Sequence, residues 1–149
     1  MQVICKEKQC QYPALVLPYD IKNKIDGENF VVGIDGFTID AKMIEYCLTI
    51  EQRYFVYGLL FYEGQTRFLI VDNDQQPCFL AATLFRINQA SLFLGWEIRA
   101  FRLIDSLVTV ICDSMLIDSY DDLRDLIALK PSAIRRFLNY KEFVADYLI

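Results

Sequence analysis

Asp118, Asp121, Asp122 and Asp125 recur at spacings of three and four, which puts them on one face of the segment if it is helical. Carboxylates so arranged can hold a cation, move a proton or present a negative surface to a basic partner. Leu123, Leu126 and Ile127 point to the opposite side. Between residues 103 and 129 six Asp stand against one Arg, a local sum of −5 that equals the net charge of the whole chain. The rest of the sequence is therefore close to neutral, and charge so concentrated gives a globular protein a directional field. Asp113 extends the acidic stretch, as does Asp105, and Tyr120 lies at its polar–apolar border as an amphipathic anchor.

The proton-transfer and metal readings are the weaker ones. The chain contains no histidine, which removes the common neutral-pH base, the usual activator of a serine or cysteine nucleophile and the commonest zinc ligand. Histidine-based triads are impossible within it. Asp72, Asn73 and Asp74 offer oxygen ligands but lack the following Gly and the late Glu of a calcium loop, so they read as a turn. Gly33, Gly36, Gly58, Gly64 and Gly95 are too dispersed for a phosphate or dinucleotide loop. Tyr54, Tyr57, Tyr62 and Trp96 resemble a base-stacking platform in type only. With a net charge of −5 and scattered Arg86, Arg99, Arg102, Arg135 and Arg136, they read as core. No catalytic residue, metal ligand or cofactor site is singled out.

Cys5, Cys10, Cys47, Cys78 and Cys112 are odd in number and scattered, mostly in apolar stretches, which predicts reduced, buried thiols. No apolar run approaches the roughly 18 residues that cross a bilayer. The first residues lack the order of a signal peptide, so a cytoplasmic location is the expectation.

The elements that must position these residues follow from periodicity. Residues 54–62 and 67–71 are rich in aromatic and β-branched types and flank a Gly-containing connection at 63–66, predicting an antiparallel hairpin. Residues 54–62 have almost no polar position and read as one central strand covered on both sides. Shorter strands are expected at 79–80, 84–87, 96–102 and 107–112. Ahead of them, residues 14–17 and 30–34 are strand candidates; 37–44 is either the second arm of a hairpin or part of a helix over 40–48. Ser119 to Asp122 has capping-box spacing, predicting a helix from there to about residue 129. Pro131 opens a second helix to residue 148, with Ile134, Phe137, Leu138, Phe143, Val144 and Tyr147 as its apolar stripe and a break at Asn139–Tyr140.

The sum is a single α+β domain over residues 1–149: a curved, mainly antiparallel β-sheet with two C-terminal helices packed on it. The functional expectation is an acidic inhibitory binding protein without enzymatic activity. Its narrower form is a bacterial immunity protein occluding the active site of a toxin, such as a nuclease, whose basic surface meets Asp113, Asp118, Tyr120, Asp121, Asp122 and Asp125. The expected partner is a protein, not nucleic acid or a membrane. The alternatives are a carboxylate-based hydrolase, marked by converging acids in a pocket, and a structural or adaptor subunit with an apolar patch around Tyr12, Phe93 or Trp96.

Overall fold

Two runs of aliphatic and aromatic residues, Leu59–Tyr62 and Phe68–Val71, build the centre of the molecule on either side of a polar turn. The computed structural model describes residues 1–10, 44–92, 95–103 and 106–147. Strand β5 (Gly58–Tyr62) turns back into β6 (Gln65–Val71) through Glu63 and Gly64, which have φ of 50° and 74°. Two residues at positive φ are what a tight hairpin turn with the correct twist requires. Tyr62 therefore pairs with Gln65, and β6 begins two residues earlier than its apolar run suggests.

The expected single strand over 54–62 is interrupted. Its first part forms β4 (Arg53–Phe55) in a different sheet, and the chain crosses between sheets at Val56 and Tyr57. Neither amide is wasted: Val56 donates to the Met1 carbonyl at 3.0 Å and Tyr57 to that of Leu69 at 2.8 Å. Both side chains are buried at the crossing. At Gly58 a Cβ would lie 3.1 Å from the Cys112 Cβ, so β5 and its neighbour approach more closely than a larger residue permits.

Besides β5 and β6, the larger sheet contains β7 (Pro77–Ala81), β9 (Trp96–Arg102) and β10 (Leu107–Asp113). It is antiparallel throughout in the order β7-β6-β5-β10-β9. In the second sheet, β1 (Gln2–Cys5) lies between β4 and β8 (Phe85–Gln89). A two-stranded ladder joins β2 (Gln9–Cys10) to β3 (Ile44–Glu45). Among the described residues the expected single sheet is thus two sheets and a ladder, within the expected α+β class. Residues 44–48 hold β3 and irregular chain, so the helix over 40–48 does not extend through them. The candidates at 14–17 and 30–34, and all of 37–44 except Ile44, lie outside the described residues.

Each face of the larger sheet has its own apolar cluster. On one face Leu60, Leu69, Val108 and Val110 pack under helices α1 (Tyr120–Ile127) and α2 (Pro131–Tyr147). On the other, Phe68, Ile70 and Leu80 meet Val3, Cys5, Tyr54 and Phe85 of the smaller sheet.

The helices start where their signals place them. Ser119 accepts the Asp122 N–H, and Asp122 reaches back to the Ser119 N–H, a complete capping box. α1 stops at Ile127, short of residue 129. Leu129 sits at φ 55° while Lys130 N–H bonds the Asp125 carbonyl and Leu129 N–H that of Leu126, closing the helix with a Schellman motif. α2 is continuous, without the expected break at Asn139–Tyr140. Tyr140 belongs to the true stripe, Ala133, Phe137, Tyr140 and Val144, whereas the predicted Leu138 and Phe143 are exposed. Tyr57 explains the difference: its ring lies 5.1 Å from Phe137 and 6.5 Å from Tyr140, both edge-on, so the helix turns its aromatic side to β5.

Candidate functional site

The acidic segment begins where β10 ends. Asp113 builds the turn that follows: its carboxylate accepts the Met115 N–H at 2.9 Å, and its carbonyl receives the Leu116 and Ile117 amides. Leu116 and Ile117 are buried, which fixes the path into α1 and leaves Met115 exposed between them and the strand. Asp118 precedes the cap and is not part of the helix; Asp121, Asp122 and Asp125 are.

The sequence counts one cation beside six acids, but the fold brings others to this face. Asp118 accepts from Arg99 of β9 at 3.1 Å, and Arg99 is also paired with Glu97. Asp121 pairs with Arg124 at 3.0 Å, Asp125 with Lys130 at 3.4 Å, and Asp122 with Arg136 of α2 at 2.6 Å. Every member of the four-residue stripe therefore has a basic partner, three of them supplied from outside the 103–129 window. The strong local field expected from sequence is largely neutralised at close range.

The four are not equivalent. One oxygen of Asp122 accepts the Asp118 and Ser119 amides at 3.0 and 3.1 Å, and the other holds Arg136. Burial pushes its carboxyl up, yet those backbone donors and the guanidinium outweigh it and hold the pKa below the ordinary value. Asp122 is a tie between α1 and α2. Asp125 is mostly covered and pairs with Lys130 beside the helix end. Asp118 and Asp121 project outward, with side chains 66% and 78% exposed. Tyr120 lies at the border between the acidic face and the core, half-buried. It packs on the helix-side core, its ring 5.9 Å from Phe101 and under the Arg124 guanidinium.

Glu97, Arg99 and Met115 are the neighbours that sequence reasoning missed. Alternation along β9 puts 97, 99 and 101 on one side, a readable signal. That this side faces the start of α1 depends on β9 pairing with β10, which no local pattern announces. Hydrogen bonds to Asp118 and then to Glu97 raise Arg99 above its already high pKa, so this group stays charged at any working pH.

The other expected features fall as follows. The Asp72 carboxylate accepts the Asp74 and Gln76 amides at 2.9 and 3.0 Å, the turn predicted. One cleft, between Tyr46, Cys78, Leu126 and Leu129, includes Asp72; a shallower groove beside Arg53 and Lys141 includes it too, and neither brings a second carboxylate. Among the described residues no group of three or more cysteines or acids is placed to hold a metal. Cys5, Cys47, Cys78 and Cys112 are free thiols. Burial pushes Cys78 and Cys112 up to about 12, which leaves them protonated and unreactive; Cys47 is exposed, contrary to expectation. Asp105, Tyr12 and Phe93 lie outside the described residues, and Trp96 is half-buried. No described helix is long and apolar enough to cross a membrane.

Comparison with known proteins finds no matching family model, no matching curated protein and no matching solved structure. A functional reading therefore stands on the arrangement of these side chains alone.

Proposed function

We propose that the chain is a small binding protein that docks onto a basic partner protein through Asp118 and Asp121, with Glu97 flanking them across Arg99 and Met115 as an apolar contact. The supporting observation is the division within the acidic stripe: Asp122 and Asp125 are absorbed by structure, while Asp118 and Asp121 project into solvent and are paired at the surface with arginines that are themselves partly buried. Such pairs contribute only about 0–1 kcal/mol each, so a partner's cations can join or replace them at little cost. The narrower form of this reading is an immunity protein that covers the active site of a toxin, with a nuclease the natural target because its phosphate-binding groove is cationic. Inhibition is then occlusion, and the chain performs no reaction.

Calorimetric titration against the product of the adjacent gene tests the proposal. Replacing Asp118 and Asp121 together with Ala is expected to weaken binding by about tenfold or more, with the loss shrinking as salt rises. Asp125→Ala is expected to change affinity by less than about threefold, since its charge is already committed. Affinity untouched by the double replacement and indifferent to salt rejects the acidic docking face.

A further inference from the structure

The two ends of the larger sheet are finished in opposite ways. β7 carries Pro77 and lies beside α1, whose Leu126 and Ile127 share a cleft with Pro77 and Phe79. In the smaller sheet β4 is three residues long, and β8 shifts register against β1 between Gln2 and Val3. Proline, a covering helix, shortness and an irregular register are devices that stop an edge from recruiting another strand. Among the described residues β9 has none of these. It is seven residues long, without proline, in unbroken register with β10, and no described strand pairs with its outer side.

An apolar row leads to that edge. Leu80, Phe68, Leu59, Ile111 and Ile98 are successive cross-strand partners on one face, from β7 to β9. The smaller sheet covers the row at Leu80 and Phe68, and cover is lost along it until Ile98 is 66% exposed. Phe61 and Leu107 are exposed on the same face.

We infer that β9 pairs antiparallel with β9 of a second copy of this chain, with Ile98 opposite Ile98 at a two-fold axis. The sequence of the strand selects the register. Side chains keep their faces only if residues of equal parity meet. Centring on Ile98 sets Glu97 against Arg99 twice and Trp96 against Ala100, opposite charges together and large against small. Centring on Arg99 instead opposes Arg99 to itself and Glu97 to Phe101; centring on Ala100 opposes Ile98 to Arg102. In the favoured register Glu97 and Arg99 of the two copies form a closed alternating set of four charges on the helix side. On the other side the apolar row continues unbroken across the axis. The contact is isologous, so it closes at two copies and joins two five-stranded sheets into one of ten. It needs no partner protein and is tested without one; Glu97 and Arg99 border both this contact and the acidic docking face.

Sedimentation of the purified full chain, from low micromolar to near-millimolar concentration at moderate salt, is expected to give the mass of two chains at the upper end. Ile98→Lys is expected to weaken association by about tenfold or more. Glu97→Arg places arginine at all four charged positions and Arg99→Glu places glutamate there. Each variant alone is expected to sediment as one chain, and an equimolar mixture to recover the two-chain mass. Circular dichroism identical to wild type establishes that the variants are folded. A chain that stays monomeric throughout overturns the inference. So do larger assemblies, single charge variants that self-associate like wild type, and a mixture that fails to combine.

Discussion

The two faces of the five-stranded sheet share their strands and differ in how they are covered. On the helix side α1 and α2 close over β5, β6 and β10, and Phe137, Leu123 and Leu60 are sealed from water. On the other side a three-stranded sheet covers the β6–β7 half, and within the described residues the β9–β10 half carries exposed Ile98 and Leu107. One face is finished by elements that follow in sequence, each with its own start signal. The other is finished by β1, which has to find strands far along the chain. A face built from self-announcing elements is complete, and a face built by distant pairing covers only as much as the smaller sheet can reach.

The largest expected effect comes from opening the sealed face. Phe137→Ala removes a fully buried ring packed against Tyr57 and is expected to cost about 3–5 kcal/mol in denaturant titration. Ile70→Ala on the other face is expected to cost about 2–5 kcal/mol. Both variants are expected to unfold in a single transition by fluorescence and circular dichroism, because β5 and β6 feed both clusters. Separate transitions for Ile70→Ala alone would show the smaller sheet melting by itself.

Next in size is the helix start. Ser119→Ala is expected to lower stability by about 1 kcal/mol. Asp122→Asn sharpens the point through pH. The folded carboxyl has a depressed pKa, so its stabilising contribution is present above the unfolded value near 3.8 and is lost as pH falls through the depressed one. Melting temperature followed from neutral into acid is expected to fall less steeply in the Asn variant; an identical acid limb would mean that Arg136 and the cap amides do not stabilise the ionised form. Smallest is Leu107→Ala on the open half, expected within about 0.5 kcal/mol of wild type. A loss of 2 kcal/mol or more, roughly the burial energy of such a side chain, would mean that this half is covered in solution.

Legibility followed the same division. The capping box at Ser119 and Asp122, Pro131 as the first residue of α2, and the alternation of β9 and β10 were all readable, because each is decided within a few residues. The missed break after Phe55 had no such marker: Val56 and Tyr57 are as apolar as a strand interior, and only the Met1 and Leu69 carbonyls show that the chain changes sheets there. The stripe of α2 was misjudged because Tyr140 looks polar in sequence, yet its ring is buried against Tyr57 and burial pushes its hydroxyl up to about 12. The acidic face was half legible. Its carboxylates lie within eight residues of sequence, but Arg99, Lys130 and Arg136 reach them from a strand and from the chain beyond α1, so counting charges within a window overstated the field.

The position of β1 has a consequence for how the chain acquires this shape. β1 leaves the ribosome well ahead of its two neighbours, Arg53–Phe55 and Phe85–Gln89. Loop closure over such separations is entropically costly, so this docking step belongs late on the folding route. Until it is complete, Phe68 and Ile70 lack their cover and the apolar row is open along more of its length. Nascent chains are therefore most prone to stick to one another in that interval.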